Sequence, residues 1–437
     1  MTPSASIAEP TADAADDLAA PQPVRRLAVV GLGLMGLGIA QASAAAGLPV
    51  VLVGRDKEST TQGFSHLRAQ IERQVARNRL STAAAAALLA NIAPSRDGAS
   101  LGDCDLAIES VDEIREVKLA VLRRVEAALP EGAWLATNTS GLAISGLAAA
   151  VIRPERFIGL HFFSPAERMP LVEVVRGAAT SAAVASAALA FARQIGKRPV
   201  AVRDGPGFFT SRVFAAYLDE ALAMIAEGVA PASIEEAALA NGRAIGPLAV
   251  LDEVSLQLNL QQGLQARADG LEERFCRSLA TPALIRMIEL GRAGRRSGGG
   301  FYDYPAAGPK TLWSGLSRAF PPGASRPLLD SLRLRLGCVE AMEALRCLEE
   351  GVVASADDAD VASQLGLGFP ESAGGVLRWV ETMGLDEFVE ACDKLALAHG
   401  PRFEPSPWLL RVASHHRTLN AWRVQEPGKL MKSGAEP

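Results

Sequence analysis

The sequence predicts an α/β fold: a doubly wound, mostly parallel sheet in the N-terminal half, followed by a duplicated all-α C-terminal domain. Three observations carry this. Short apolar runs alternate with helical stretches up to about residue 203. A glycine triplet follows the first apolar run directly. Beyond residue 204 the chain is almost all helical and repeats a set of landmarks at a constant offset.

Taken in order, Leu27 to Val30 reads as the first strand, and Gly31-Leu32-Gly33-Leu34-Met35-Gly36 opens a helix that runs through Ile39 to Ala45. Pro49 to Val53 closes a β-α-β unit. Residues 57 to 92, with the alanine run Ala83 to Ala87, are helical in composition. Asp105 to Ile108 is the next strand, with a charged helix from Asp112. Trp134 to Thr137 and Arg156 to Leu160 continue the alternation. After Gly205-Pro206-Gly207-Phe208 the helical part begins. Leu218-Asp219-Glu220-Ala221-Leu222 through Glu227-Gly228-Val229 to Pro247 is matched by Ala341-Met342-Glu343-Ala344-Leu345 through Glu350-Gly351-Val352 to Pro370, offset by 123 residues without a gap. The expected layout is a disordered tail over 1–24, a dinucleotide-binding domain over 25–203 and a first helical domain over 204–304. A linker over 305–327, a second helical repeat over 328–423 and a tail over 424–437 complete it.

Bulk properties narrow the function classes. The chain has 437 residues, 49% of them hydrophobic and 21% charged, enough for two or three domains with ample cores. A net charge of −5 argues against nucleic acid as a partner. Five cysteines without CxxC spacing read as reduced thiols rather than a disulfide frame or metal site. No apolar run reaches the ~18 residues needed for a membrane span. The acidic, Ala/Pro-rich start resembles neither a secretory nor a mitochondrial leader, so a cytoplasmic protein is expected.

The glycine triplet suits a dinucleotide: Gly31 allows the turn, Gly33 lets the pyrophosphate approach, and Gly36 permits close helix packing at a helix N-terminus. The acidic residue expected at the end of the second strand is missing, because Gly54 stands there, followed by Arg55 and Asp56. Either Arg55 accommodates a 2′-phosphate, which means NADP, or Asp56 binds the ribose after a small shift. Alternatively, Gly54 only makes a turn and NAD binds somewhat weakly. We read NAD as the cofactor, with NADP as the alternative. His161, in Gly159-Leu160-His161-Phe162-Phe163-Ser164, and Glu173, in Leu171-Val172-Glu173-Val174-Val175, are polar residues within strand-like apolar runs. A lone core histidine is the bland reading; a base with its carboxylate orienter explains both residues together. Asn138-Thr139-Ser140 reads equally as a helix N-cap or as a hydroxyl at a strand's carboxyl end. Glu113 and Lys118 read as a solvated helix face, and Arg295-Arg296 with the glycines that follow as a surface loop.

Together these motifs resemble the L-3-hydroxyacyl-CoA dehydrogenases, and most of all the dehydrogenase portion of multifunctional fatty-acid β-oxidation proteins, from about Arg26 to Leu410. The resemblance implies a 3-hydroxyacyl-CoA or 3-ketoacyl-CoA substrate, His161 as general base oriented by Glu173, and Ser140 near the substrate oxygen. It implies cofactor contacts from Glu113, Lys118 and Arg296. Two departures stand out: Ser164 and Ser211 occupy positions where the family usually has asparagine, the first near the cofactor and the second facing the substrate carbonyl. No hydratase segment precedes Arg26, so a separate hydratase or thiolase polypeptide is an expected partner. The rival readings are a catalytically weak nucleotide-binding subunit of an acyl-CoA complex and a dehydrogenase of another 3-hydroxy acid. The second helical copy can cover in cis the face that one-copy relatives cover by dimerising.

Overall fold

The computed structural model describes residues 21–95, 101–324, 326–415 and 418–419; most of both expected tails lies outside them. The N-terminal elements are β1 (Leu27–Val30), α1 (Leu34–Ala45), β2 (Val50–Val53), α2 (Lys57–Ala76), α3 (Thr82–Ala90), β3 (Ile92–Pro94), β4 (Leu106–Glu109) and α4 (Arg115–Ala128). There follow β5 (Trp134–Thr137), α5 (Ile144–Ala148), β6 (Phe157–Phe162), β7 (Leu171–Arg176), α6 (Ala182–Gln194) and β8 (Arg198–Arg203). They form one eight-stranded sheet in the order β3-β2-β1-β4-β5-β6-β7-β8. Every neighbouring pair is parallel except β6–β7, which is antiparallel and sets His161 directly opposite Glu173. The central strands are buried on both faces, hence their unbroken apolar runs.

Two details differ from the sequence reading. The stretch over 57–92 is two helices and an edge strand rather than one helical run. Asn78 at φ +53° breaks it, and Ser81 caps α3 by accepting from the Ala84 N–H. Val24, placed in the expected tail, is buried, and its backbone N–H and C=O both bond to the Gln194 side chain.

The helical part comprises α7 (Thr210–Ala226), α8 (Pro231–Ala240), α9 (Pro247–Val254), α10 (Leu256–Ala268) and α11 (Thr281–Glu289), then β9 (Tyr302–Asp303), β10 (Thr311–Leu312) and α12 (Leu316–Ala319). Next come α13 (Leu329–Glu349), α14 (Ala356–Leu367), α15 (Val376–Met383), α16 (Leu385–His399) and α17 (Pro407–Ser414). Helices α13–α17 repeat α7–α11 in order, down to a short 3₁₀ turn before each last helix (Glu273–Phe275 and Pro401–Phe403). The copies diverge just past the Pro247/Pro370 landmark: Pro247 begins α9, whereas α15 begins only at Val376.

The copies meet through α7 and α13 with reciprocal charges. Arg212 donates to Glu343 and Glu350, and its repeat mate Arg335 donates to Glu220 and Glu227. Residue i of one copy thus contacts residue j of the other and the converse, the pattern of an isologous two-fold interface realised within one chain. The segment over 305–327 is not a free spacer. Leu316 is buried, Trp313 N–H donates to Phe301 O, and Gly323 N–H donates to Gly228 O. The second copy also docks on the sheet. Val353 bridges to Val202, Arg203 N–H donates to Val352 O, and the edge strand β8 is thereby covered.

Candidate active site

The glycine turn between β1 and α1 has the shape a dinucleotide needs. A Cβ on Gly31, at φ +102°, would lie 2.4 Å from Ser110 O, and one on Gly36 would lie 1.9 Å from Gly31 O. Both are demanded by the protein's own packing. A Cβ on Gly33 would meet nothing within 4 Å, so this residue faces open space, and α1 starts there without a side-chain cap. A helix N-terminus beside an open glycine is what a pyrophosphate requires.

At the end of β2, a side chain at Gly54 would press within 2.8 Å of Ser59 Oγ and the Thr60 N–H and hydroxyl. Asp56 is the N-cap of α2: its carboxylate accepts from Ser59 N at 2.7 Å, and the Ser59 hydroxyl answers at the Asp56 N–H. The Ser59 backbone hydrogen bond holds the Asp56 carboxyl below the usual range. The cap takes Asp56 Oδ1, while Oδ2 lies 3.5 Å from Arg55 Nε on a side chain that is 53% exposed. The Arg55 side chain is 87% exposed and pairs with Asp56 at 3.5 Å.

The register between β6 and β7 brings His161 Nδ1 to 2.7 Å from Glu173 Oε2. Glu173 is fully buried and accepts three more bonds: Phe209 N–H (3.2 Å) and Thr210 N–H (2.9 Å) at Oε1, and the Thr210 hydroxyl (2.6 Å) at Oε2. With its proton on Nδ1, a neutral His161 presents a lone pair on Nε2. Phe163 and Phe208 flank the ring, with centroids at 4.4 and 6.0 Å. Phe208 itself is held at φ +52°, a strained conformation for an aromatic residue, at the turn that launches α7.

Ser140 is not a helix N-cap. It lies in a bend between β5 and α5, and α5 is capped instead by the Asp204 carboxylate, which accepts from Ile144 N and Ser145 N. Glu113 holds the bend by accepting from Ser140 N at 2.9 Å and from the Thr139 hydroxyl. Lys118 is not solvated: it is fully buried, donates to both Glu109 oxygens at 2.9 and 3.2 Å, and lies 3.3 Å from Glu113 Oε2. The Thr137 hydroxyl and Val111 N–H complete the shell around Glu109. Asn138 Oδ1 accepts from Phe162 N, tying β5 to the residue after the histidine.

Ser140, Ser211 and Glu113 share the wall of a cavity of about 710 Å³ between the carboxyl edge of the sheet and helices α7 and α10. Leu258 and Leu264 line its apolar side, and Arg115 pairs with Asp269 at 2.6 Å across it from α4 to α10. His161, 7% exposed, is not part of this wall. Ser164 is exposed in the turn after β6. Arg296 is exposed on a 3₁₀ turn (Arg295–Ser297) that packs against α9, and it is not brought together with the others.

Sequence reasoning missed Glu109, Thr137 and Thr210. Glu109 carried the same signal as Glu173, a carboxylate within an apolar strand. Thr210 carried none that its neighbours lacked.

A glycine turn shaped for a dinucleotide and a buried histidine–carboxylate pair thus lie on the same sheet. Residues 26–205 match the family "3-hydroxyacyl-CoA dehydrogenase, NAD binding domain", and residues 207–304 match "3-hydroxyacyl-CoA dehydrogenase, C-terminal domain". Among solved structures, the chain is similar to 3-hydroxybutyryl-CoA dehydrogenase from Escherichia coli K12, at 27% identity and TM-score 0.76, over 90% of this chain and 99% of that one. It is also similar to (S)-3-hydroxybutyryl-CoA dehydrogenase from Ralstonia eutropha, at 33% identity and TM-score 0.61, over 64% and 99%. The fatty acid oxidation complex subunit alpha of Shewanella oneidensis is 33% identical over 404 residues, 91% of this chain and 56% of that protein, so the chain spans little more than half of that relative's length. The chain belongs to the 3-hydroxyacyl-CoA dehydrogenase family.

Proposed function

We propose that this protein interconverts (S)-3-hydroxyacyl-CoA and 3-ketoacyl-CoA with NAD as cofactor. The observation that carries the reading is the His161–Glu173 pair on the sheet that also bears the open Gly33 turn. Gly31, Gly33 and Gly36 would hold the pyrophosphate, and the bound nicotinamide would accept the C3 hydride. His161 Nε2 takes the C3 hydroxyl proton as the C3–O bond becomes a carbonyl, and returns it in reduction. Glu173 keeps the ring in the tautomer that exposes Nε2 and stabilises the imidazolium that forms. Ser140 and Ser211 offer hydroxyls to the substrate oxygens from the cavity wall. Glu113, held by Lys118, fixes the Ser140 bend and completes the cofactor side.

For the cofactor, Asp56 caps α2 through Oδ1 and the exposed Arg55 lies beside it, so NADP is the alternative to NAD. Titrating NADH against NADPH with acetoacetyl-CoA decides both points. Turnover with NADH at the lower KM supports the reading; no turnover with either cofactor and any 3-ketoacyl-CoA ends it. A separate polypeptide supplying enoyl-CoA hydration or thiolysis is the partner the reading calls for. Among the described residues no helix is long and apolar enough to cross a membrane, and cytoplasmic localisation is part of the proposal.

A further inference from the structure

We infer that Thr210 is a positioning residue whose hydroxyl governs how Glu173 acts on His161; this rests on the catalytic reading above and deepens it. Glu173 Oε2 faces two donors, His161 Nδ1–H at 2.7 Å and the Thr210 hydroxyl at 2.6 Å, while Oε1 takes the two backbone N–H groups that begin α7. The hydroxyl competes with the imidazole for the same oxygen and draws off part of its charge. It also stops the carboxylate from turning Oε2 away from the ring.

The side chain has little freedom to do otherwise. Thr210 is fully buried, so water cannot replace its hydroxyl. Its methyl lies toward α14 of the second helical copy: a Cβ added at Gly366 would be 3.3 Å from Thr210 Cγ2, 3.3 Å from Phe163 and 2.7 Å from Leu171. That packing leaves Oγ1 pointing at the carboxylate. Phe208 at φ +52° and Gly207 at φ +71° direct the start of α7 so that the Phe209 and Thr210 N–H groups and this hydroxyl converge on one carboxylate. Ser211, the next residue, faces the cavity, so the same helical turn carries the support of the base and a wall of the substrate site.

Thr210→Val keeps the shape and removes the donor; Thr210→Ser keeps the donor and removes the methyl. With Oε2 left to His161 alone, the imidazolium gains stabilisation. The acid limb of kcat for hydroxyacyl-CoA oxidation then moves to higher pH in Thr210→Val. There kcat at neutral pH falls about tenfold, the order one hydrogen bond to a charged group carries, and KM stays within about twofold because Thr210 does not line the cavity. Thr210→Ser restores both. A readout independent of turnover is the downfield NMR resonance of the His161 Nδ1 proton, assigned by its loss in Glu173→Gln: it moves further downfield in Thr210→Val and returns in Thr210→Ser. An unmoved acid limb and an unmoved resonance in Thr210→Val, or a Thr210→Ser variant that behaves like Thr210→Val, overturns the inference. Inactive wild-type protein whose resonance still moves as described refutes the proposed reaction and leaves the role of Thr210 standing.

Discussion

Replacing Lys118 with methionine removes the cation that lies between the buried carboxylate of Glu109 and the partly exposed one of Glu113. Its ammonium lies 2.9 and 3.2 Å from the Glu109 oxygens and 3.3 Å from Glu113 Oε2, with no exposed surface. The methionine fills similar volume, so the loss is electrostatic rather than steric. Removing one partner of a buried pair costs about 3–5 kcal/mol, because the remaining charge stays out of water uncompensated. At roughly 2–4 °C per kcal/mol for domains of this size, the melting temperature falls by about 6–20 °C. The donors that remain, Val111 N–H and the Thr137 hydroxyl on Glu109 and Ser140 N–H on Glu113, favour the lower half of that range. Differential scanning calorimetry at neutral pH measures the loss. Adding Glu109→Gln to Lys118→Met recovers stability beyond the sum of the single changes, the signature of direct coupling. Because Glu113 holds the Ser140 bend, kcat also drops about tenfold, the order of one charged hydrogen bond. A loss below about 1 kcal/mol, in the range of exposed pairs, would refute the assignment of a dry, charged cluster beneath Ser140.

Three other outcomes follow from the same structure. Arg335→Met leaves Glu220 and Glu227, on α7 and at its C-terminal end, without the guanidinium that reaches both from α13, although Arg402 still reaches Glu220; a loss of about 3 kcal/mol in chemical denaturation is expected. Burial pushes the Asp360 carboxyl up to about 6, against an unfolded value near 3.9. Its protonated form therefore favours the fold fully below about pH 4, and that contribution is lost as pH rises through 6. Asp360→Asn can still accept from Leu377 N and Arg378 N, and it gains stability relative to wild type as melts are run from pH 4 to 8; a constant difference contradicts this. Gly54→Asp places a Cβ within 2.8 Å of Ser59 and Thr60, so overpacking of about 1–3 kcal/mol and no tighter NADH binding by fluorescence titration are expected.

The sheet was readable because its buried strands are mostly apolar runs, unbroken in β1 and β2, and the glycine turn because only glycine fits where Gly31 and Gly36 meet backbone oxygens. The His161–Glu173 pair was readable as two polar residues with no reason to sit in apolar strands. What escaped depends on facts absent from local pattern. The antiparallel β6–β7 pairing is set by tertiary register, and β3 is a three-residue edge strand beside an alanine-rich helix. Lys118 looked solvated because charges on a helix usually are; only the approach of Glu109 from the neighbouring strand shows it to be buried. Arg296 read as part of a surface loop and gained a cofactor role only through the resemblance; the fold leaves it exposed on the 3₁₀ turn beside α9. The repeat was visible in its landmarks, whereas its two-fold charge exchange, Arg212 with Glu343 and Arg335 with Glu220, becomes apparent only when α7 crosses α13.

The most direct measurement is the rate of acetoacetyl-CoA reduction, followed by NADH absorbance, in wild type and His161→Gln, alongside NADH binding. A general base at this position gives a fall of about 10²–10⁴-fold in kcat with NADH affinity essentially unchanged. A His161→Gln protein that turns over at the wild-type rate contradicts the account.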